Sequence, residues 1–296
     1  MTFAPAHTRA GSVRGWSALA AALALAAGCD GNARKDPTAP VSQRVAEVSV
    51  RIDMPNSGAP AVSVLAFRAD VTEISAADVL GVVDPLTAPA PETTCELRDV
   101  SGTARNLRAA GGSVDLQELG GVAVTLDAAA AIKPAPRVYP PLGEVVGGVI
   151  AEAGPMDIDS VPSALSVDVP GADDKPVTAN LSVAGVPRVF DQNQAPLTNT
   201  SHLDASGNLV LLVAGPAKTF LEIRPYGAPV ALACPAGAGG WVVVPHAMLA
   251  RLVASAGGVP VAFEAVWRDS RVLIADGQPT RVSVETRSSA VVELHP

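Results

Sequence analysis

The feature that most constrains this chain is an alternation of apolar and polar residues with period two, repeated in run after run from Val45 to the C-terminus. In the first of these, Val48, Val50, Ile52 and Met54 alternate with Ser49, Arg51 and Asp53. Period two puts successive side chains on opposite faces of an extended segment, whereas a helix needs apolar residues three and four apart. The run therefore reads as a strand with one face in water. Val62 to Val71 is a longer apolar run, and the rhythm returns at Cys95/Leu97, Val122/Val124/Leu126, Leu165/Val167/Val169 and Val177/Ala179/Leu181/Val183. It continues at Leu209 to Val213, Phe220 to Arg224, Trp241 to Val244, Val261/Phe263/Ala265/Trp267 and Val282/Val284. Such strands lie about a dozen residues apart, divided by Gly, Pro, Asn and Asp, the layout of an all-β, antiparallel sandwich of immunoglobulin-like domains. Gly and Pro number 26 each in 296 residues, roughly 18% against a usual 12% or so, which interrupts helices often. Aromatic residues make up only 3%, so Val, Leu, Ala and Ile must build the core, and Trp241 and Trp267, both in strand patterns, are expected inside it.

One stretch reads as a helix. Residues 245–256 start on Pro245, carry Met248, Leu249, Leu252 and Val253 on one face, and stop at Gly257-Gly258. Three turns of this kind are expected to cap a sheet edge or end. A domain boundary is expected between Ala151 and Ser163, where Gly154-Pro155 and Pro162 flank Asp157-Ile158-Asp159. This gives a β domain over 43–155 and a β-sandwich domain over 156–296, although Leu142 to Ile150 could equally run as a strand into a shared sheet.

The N-terminus carries an address. Residues 1–28 begin basic and acid-free with His7, Arg9 and Arg14, continue apolar from Trp16 to Ala27, and end at Gly28-Cys29. About a dozen apolar residues are too few for a bilayer-spanning helix, which needs roughly 20, so the segment reads as a cleaved signal. The ending Leu25-Ala26-Ala27-Gly28-Cys29 resembles the lipobox of bacterial lipoproteins; it departs from the usual pattern in having Ala26 rather than Leu three residues before the Cys. The resemblance covers only the first tenth of the chain. It implies cleavage before Cys29, acylation of its thiol, a polar tether over 29–42, and a protein held on the periplasmic or outer-surface side of a bacterial envelope. Two or three acyl chains at roughly 0.8 kcal/mol per buried methylene anchor a protein stably. Asp30 matches a position associated in enteric bacteria with inner-membrane retention; the choice of membrane stays open.

Against that background the chain offers little chemistry. A net charge of -8 without any basic run beyond Arg34-Lys35 excludes a nucleic-acid partner. His202, His246 and His295 lie more than 40 residues apart with no metal-ligand spacing, and no metal or other cofactor is expected. The nearest approach to a Gly-x-Ser-x-Gly elbow, Gly11-Ser12-Val13-Arg14-Gly15, has its Ser one position early and falls inside the signal, and Gly237, Gly239 and Gly240 read as a hairpin loop. Asp157 with Asp159, and Asp173-Asp174, read as solvated acidic turns lacking an EF-hand loop. The polar loops over 190–208 could recognise a ligand, although Phe190 is their only adjacent aromatic. With Cys29 taken by lipid, Cys95 and Cys234 remain as an even pair in an oxidising compartment, so a disulfide is permitted beside the alternative of two buried thiols. These readings combine into a non-catalytic, lipid-anchored envelope protein with a structural, binding or accessory role, its partner an envelope protein or glycan. The alternatives are a glycan- or calcium-binding module, or an envelope hydrolase.

Overall fold

The computed structural model describes residues 42–295, apart from 56–57, 73–82, 84–89, 100–107, 110, 128, 143–144, 172–174, 229 and 257–259. The expected signal, Cys29 and nearly all of the expected tether lie outside the described residues. The first strands are β1 (Ser42–Pro55), β2 (Ala61–Thr72), β3 (Glu96–Asp99), β4 (Ser113–Glu118), β5 (Ala123–Leu126), β6 (Ala135–Leu142) and β7 (Val146–Asp157). They are followed by β8 (Ala164–Pro170), β9 (Pro176–Ser182), β10 (Arg188–Phe190), β11 (His202–Asp204) and β12 (Leu209–Ala214). Last come β13 (Phe220–Pro225), β14 (Val230–Pro235), β15 (Trp241–Val244), helix α1 (His246–Ala256), β16 (Val261–Ala275) and β17 (Gln278–His295).

The protein is all-β and built in layers. One large sheet runs β3-β14-β13-β16-β17-β1-β2-β4-β7-β6, with β11 beside the end of β17. Two small sheets, β5-β8-β9 and β10-β12-β15, cover one of its faces, and apolar side chains fill the space between. Val48, Val50, Ile52, Val62, Val64, Val282 and Val284 meet Val124, Val167 and Leu181 in a first core. Leu221, Ile223, Leu232 and Phe263 meet Leu211, Val213, Val242 and Val244 in a second, which α1 closes with Leu249 and Leu252. The Asn208 carboxamide oxygen accepts the His246 N–H (2.9 Å), satisfying an orphan donor at the start of that helix.

Three findings differ from the sequence reading. The large sheet is mixed, because β1 and β11 lie parallel to β17 and β4 lies parallel to β7. Parallel and antiparallel strands share the same side-chain period, so alternation does not distinguish them. The expected boundary at 155/156 falls inside β7, in a compact unit running from Pro40 to Pro296 whose large sheet takes strands from both sides of that point. Finally, the polar face of β1 is not in water: Glu47 is 0% exposed and Ser49 5%. Phe67, Val71, Val114, Leu116 and Val83 form a further apolar cluster on that same side of the sheet.

Candidate functional site

The sequence-derived candidates land in separate places. Cys95, just before β3, and Cys234 in β14 are joined as a disulfide spanning 139 residues. The antiparallel register that pairs Leu232 with Leu97 and Ala233 with Glu96 carries on to place the two cysteines opposite each other beside the second core. The three histidines gather near β11. His202 lies on it, 3.7 Å from Glu293; His295 is in register with Asp204; the His246 Nδ1–H donates to the Ala205 carbonyl at 2.9 Å. Among the described residues, no three His, Cys, Asp or Glu side chains converge as a metal set. Asp157 and Asp159 stand exposed at and after the end of β7, while Asp173 and Asp174 lie outside the described residues.

The 190–208 stretch is mostly exposed, pinned by its own hydrogen bonds and by two buried leucines. Asp191 Oδ1 accepts the N–H groups of Asn193 and Ala195, both at 2.8 Å, and Asn199 Oδ1 accepts that of Val291 at 2.9 Å. The Thr198 hydroxyl is shared with Thr200 and Ser201, and Leu197 and Leu203 are buried in the second core. Gly237 to Gly240 do not form a hairpin loop: a 3-10 turn over Ala238–Gly240 carries the chain from β14 in the large sheet to β15 in a small one. Of the two tryptophans, Trp267 is in the first core, but Trp241 is 37% exposed, because Val242 and Val244 take the inward positions of β15. Alternation alone leaves the phase of so short a strand undecided.

What the sequence reading missed is a buried ladder of charges on the side of β1, β17, β16 and β13 that faces away from the two small sheets. In register, Arg268 of β16, Glu285 of β17 and Arg51 of β1 form one row. Arg268 Nε donates to Glu285 Oε2 at 3.0 Å and Arg287 Nε donates to Oε1 at 2.9 Å, each guanidinium adding a second bond through Nη2. Arg51 Nε stands 3.5 Å from Oε1. Arg287 Nη1 also donates to Glu264 at 2.8 Å. Two rows away, past Ser49 and Ser283, Glu47 sits opposite Arg281, which donates to Oε2 at 2.7 Å, while the Ser283 hydroxyl donates to Oε1 at 2.7 Å. Glu222 is held by Arg224 and faces Arg98 at 3.5 Å. These positions are the polar half of the alternation, so their signal was present in the sequence as ordinary surface residues.

The environment splits the carboxyls. Burial pushes Glu285 upward, but the opposing fields of Arg287, Arg268 and Arg51 outweigh it and hold the group down at about 2. For Glu47 and Glu264 burial wins over their arginines, and both are raised above the ordinary value. Arg287, between Glu285 and Glu264, loses hydration and is nevertheless held well above its ordinary value by the surrounding acids. Chemically, Glu285 has both oxygens clamped by planar guanidinium forks, a geometry that fixes position and charge and leaves no mobile proton for acid–base work.

Two cavities accompany this architecture. One, of about 250 Å³, opens beside the ladder and is lined by Ser49, Arg51, Ser63, Tyr139 and the Arg137–Glu152 ion pair. The other, of about 330 Å³, lies on the covered side, where the end of β1, β10 and residues 196–198 meet β16 and β17. Its floor includes Phe263 and Ala290 of the second core, and Arg188 and Thr198 are among its polar lining. The chain matches no protein-family model, no curated protein and no solved structure.

Proposed function

We propose that this is a non-catalytic lipoprotein of a bacterial envelope, anchored through an acylated Cys29 and presenting its all-β unit as a structural, binding or accessory component. The observation that carries the reading is the run Leu25-Ala26-Ala27-Gly28-Cys29 after a basic and then apolar start. The compact unit begins at Pro40, eleven residues beyond Cys29. At no more than ~3.6 Å per residue, the connection reaches at most about 40 Å, which keeps the unit near the bilayer. The Cys95–Cys234 disulfide supports export, since such bonds persist in oxidising compartments. The ladder supports a non-catalytic role, because its most strongly ionised carboxylate is engaged by arginines at both oxygens. The partner is an envelope protein or glycan.

The test is metabolic labelling with a clickable fatty acid in a bacterial host, followed by membrane fractionation. The wild-type chain is expected to take label and sediment with membranes, and Cys29→Ala to lose both properties. Label retained in the variant refutes the anchor.

A further inference from the structure

We propose that the outer face of the small sheet β10-β12-β15 binds an extended β-1,4-linked glycan, which lies across the strands on a row formed by Pro196, Phe190, Leu212 and Trp241. This gives one chemistry to the partner named above as an envelope protein or glycan. It rests on the binding part of that reading and stands whether or not Cys29 is acylated.

The row is set by register. Phe190 is paired with Leu212 and Leu212 with Trp241, while Pro196 forms a bridge with Phe190 on its other side. Directly paired residues share a face of the sheet. Here that face is the outer one, because Val189, Leu211, Val213, Val242 and Val244 take the inward positions and are buried in the second core. Trp241 is 37% and Val243 54% exposed, Pro196 is exposed, and Phe190 and Leu212 are partly so. Phe190 has no aromatic neighbour along its own stretch of chain; strand pairing brings Trp241 onto its row, two strands away.

Spacing selects the ligand. At about 4.8 Å per strand, Phe190 and Trp241 stand about 10 Å apart, and the row from Pro196 to Trp241 is roughly 14 Å long. A β-1,4-linked chain is a flat ribbon in which every second ring turns the same apolar C–H face the same way, at a repeat that matches the two aromatic positions. An α-1,4-linked chain coils and leaves a straight row after one ring. Each sugar sets a C–H face on an apolar ring and keeps its hydroxyls at the edge. That edge is provided for. The turn from Asp191 to Ala195 joins Phe190 to Pro196 and carries Gln192, Asn193 and Gln194, all exposed, and Arg188 lies two residues before Phe190 on the same face. Among the described residues the side chains of these four take no hydrogen bond or ion pair, so their donors and acceptors are open to hydroxyls. Size argues against a protein partner: with β12 about 20 Å long the face covers roughly 300 Å², less than half of the ~800 Å² that each partner buries in a stable protein interface. A net charge of -8 argues against an anionic bilayer.

The experiment titrates the purified full chain with cellohexaose, chitohexaose and maltohexaose, following heat and tryptophan fluorescence, in the wild type and in Cys29→Ala so that anchorage and binding are read separately. At least one of the two β-1,4-linked chains is expected to bind a single site with a Kd on the order of 0.1 to 1 mM, and maltohexaose to show no binding. Emission should shift to the blue as Trp241 is covered, identically in Cys29→Ala. Trp241→Ala and Phe190→Ala should each weaken binding about tenfold or more, whereas Trp241→Tyr, which keeps a ring, should lose no more than about threefold. Melting curves check that these outward replacements leave the fold intact, and the wild-type fluorescence supplies a readout that needs no variant. Sedimentation velocity and phosphatidylglycerol vesicles test a second copy and a bilayer as the occupant. No saturable binding of either β-1,4-linked chain, equal affinity for maltohexaose, or unchanged affinity in a folded Trp241→Ala overturns the proposal, as does self-association or vesicle binding that Trp241→Ala abolishes in place of glycan binding.

Discussion

Replacing Glu285 by Gln keeps the shape of the side chain and removes the one charge that Arg268 and Arg287 both grip. The free-energy cost follows from the folded state itself. Glu285 is held at about 2 against an ordinary value of 4.5, and at ~1.4 kcal/mol per pH unit the gap corresponds to roughly 3 kcal/mol. The same order is expected when one partner of a buried ion pair is removed and the other charges stay behind, about 3 to 5 kcal/mol. In urea at pH 7, with a slope of about 3 kcal/mol per molar, the midpoint should fall by about 1 M. The pH dependence has a definite sign. A carboxyl depressed in the fold stabilises it fully above its unfolded value and loses that contribution as pH falls from 4.5 toward about 2. Glu47 and Glu264, raised by burial, act oppositely: their cost to the fold diminishes as pH falls through their folded values toward 4.5. Glu47 takes no direct contribution from Glu285 and largely cancels when the two stability curves are subtracted, whereas Glu264 is raised in part by Glu285, so the difference reports Glu285 together with its coupling to Glu264. A midpoint lowered by less than about 0.3 M, roughly 1 kcal/mol on the same slope, would refute the reasoning, as would a difference between the curves that does not shrink below pH 4.5.

Two further effects are expected on stability. Replacing Cys95 and Cys234 together by Ser removes a closure of 139 residues, for which the chain-entropy relation gives an upper value of about 5 kcal/mol; equilibrium unfolding of the oxidised wild type against the double variant measures it, and a loss below about 1 kcal/mol would contradict it. Thr286 is fully buried and its hydroxyl has no hydrogen-bond partner among the described residues, so Thr286→Val, of nearly equal shape, should raise stability by about 1 kcal/mol in the same assay, and a decrease would show that the hydroxyl is satisfied in solution.

Much of the local structure was legible in the sequence because strand alternation is a property of neighbouring residues. Val48, Val50 and Ile52 point into the first core as their spacing requires, and so do Leu165, Val167 and Val169 on β8. Helix α1 covers nearly the stretch that Pro245, its apolar face and Gly257 delimit, and it buries Leu249 and Leu252. Very short strands escaped: β10 and β11 have three residues each, too few for a period to show. Trp241 shows the limit in another form, since a four-residue strand alternates equally well in either phase.

The tertiary structure alone decided which strands are neighbours, and the functional geometry follows from that choice. Glu47 meets Arg281 across 234 residues of chain, and Arg51 joins the row of Arg268 and Glu285 only because β1 lies parallel beside β17. In the sequence these are polar residues at alternate positions, the signature of a wetted face. A buried charge needs a partner, and a partner two hundred residues away is specified by the packing of the whole sheet rather than by any local period. The 330 Å³ cavity has the same origin: it exists because two small sheets cover the large one at separate places, and no stretch of sequence by itself contains a gap between two others.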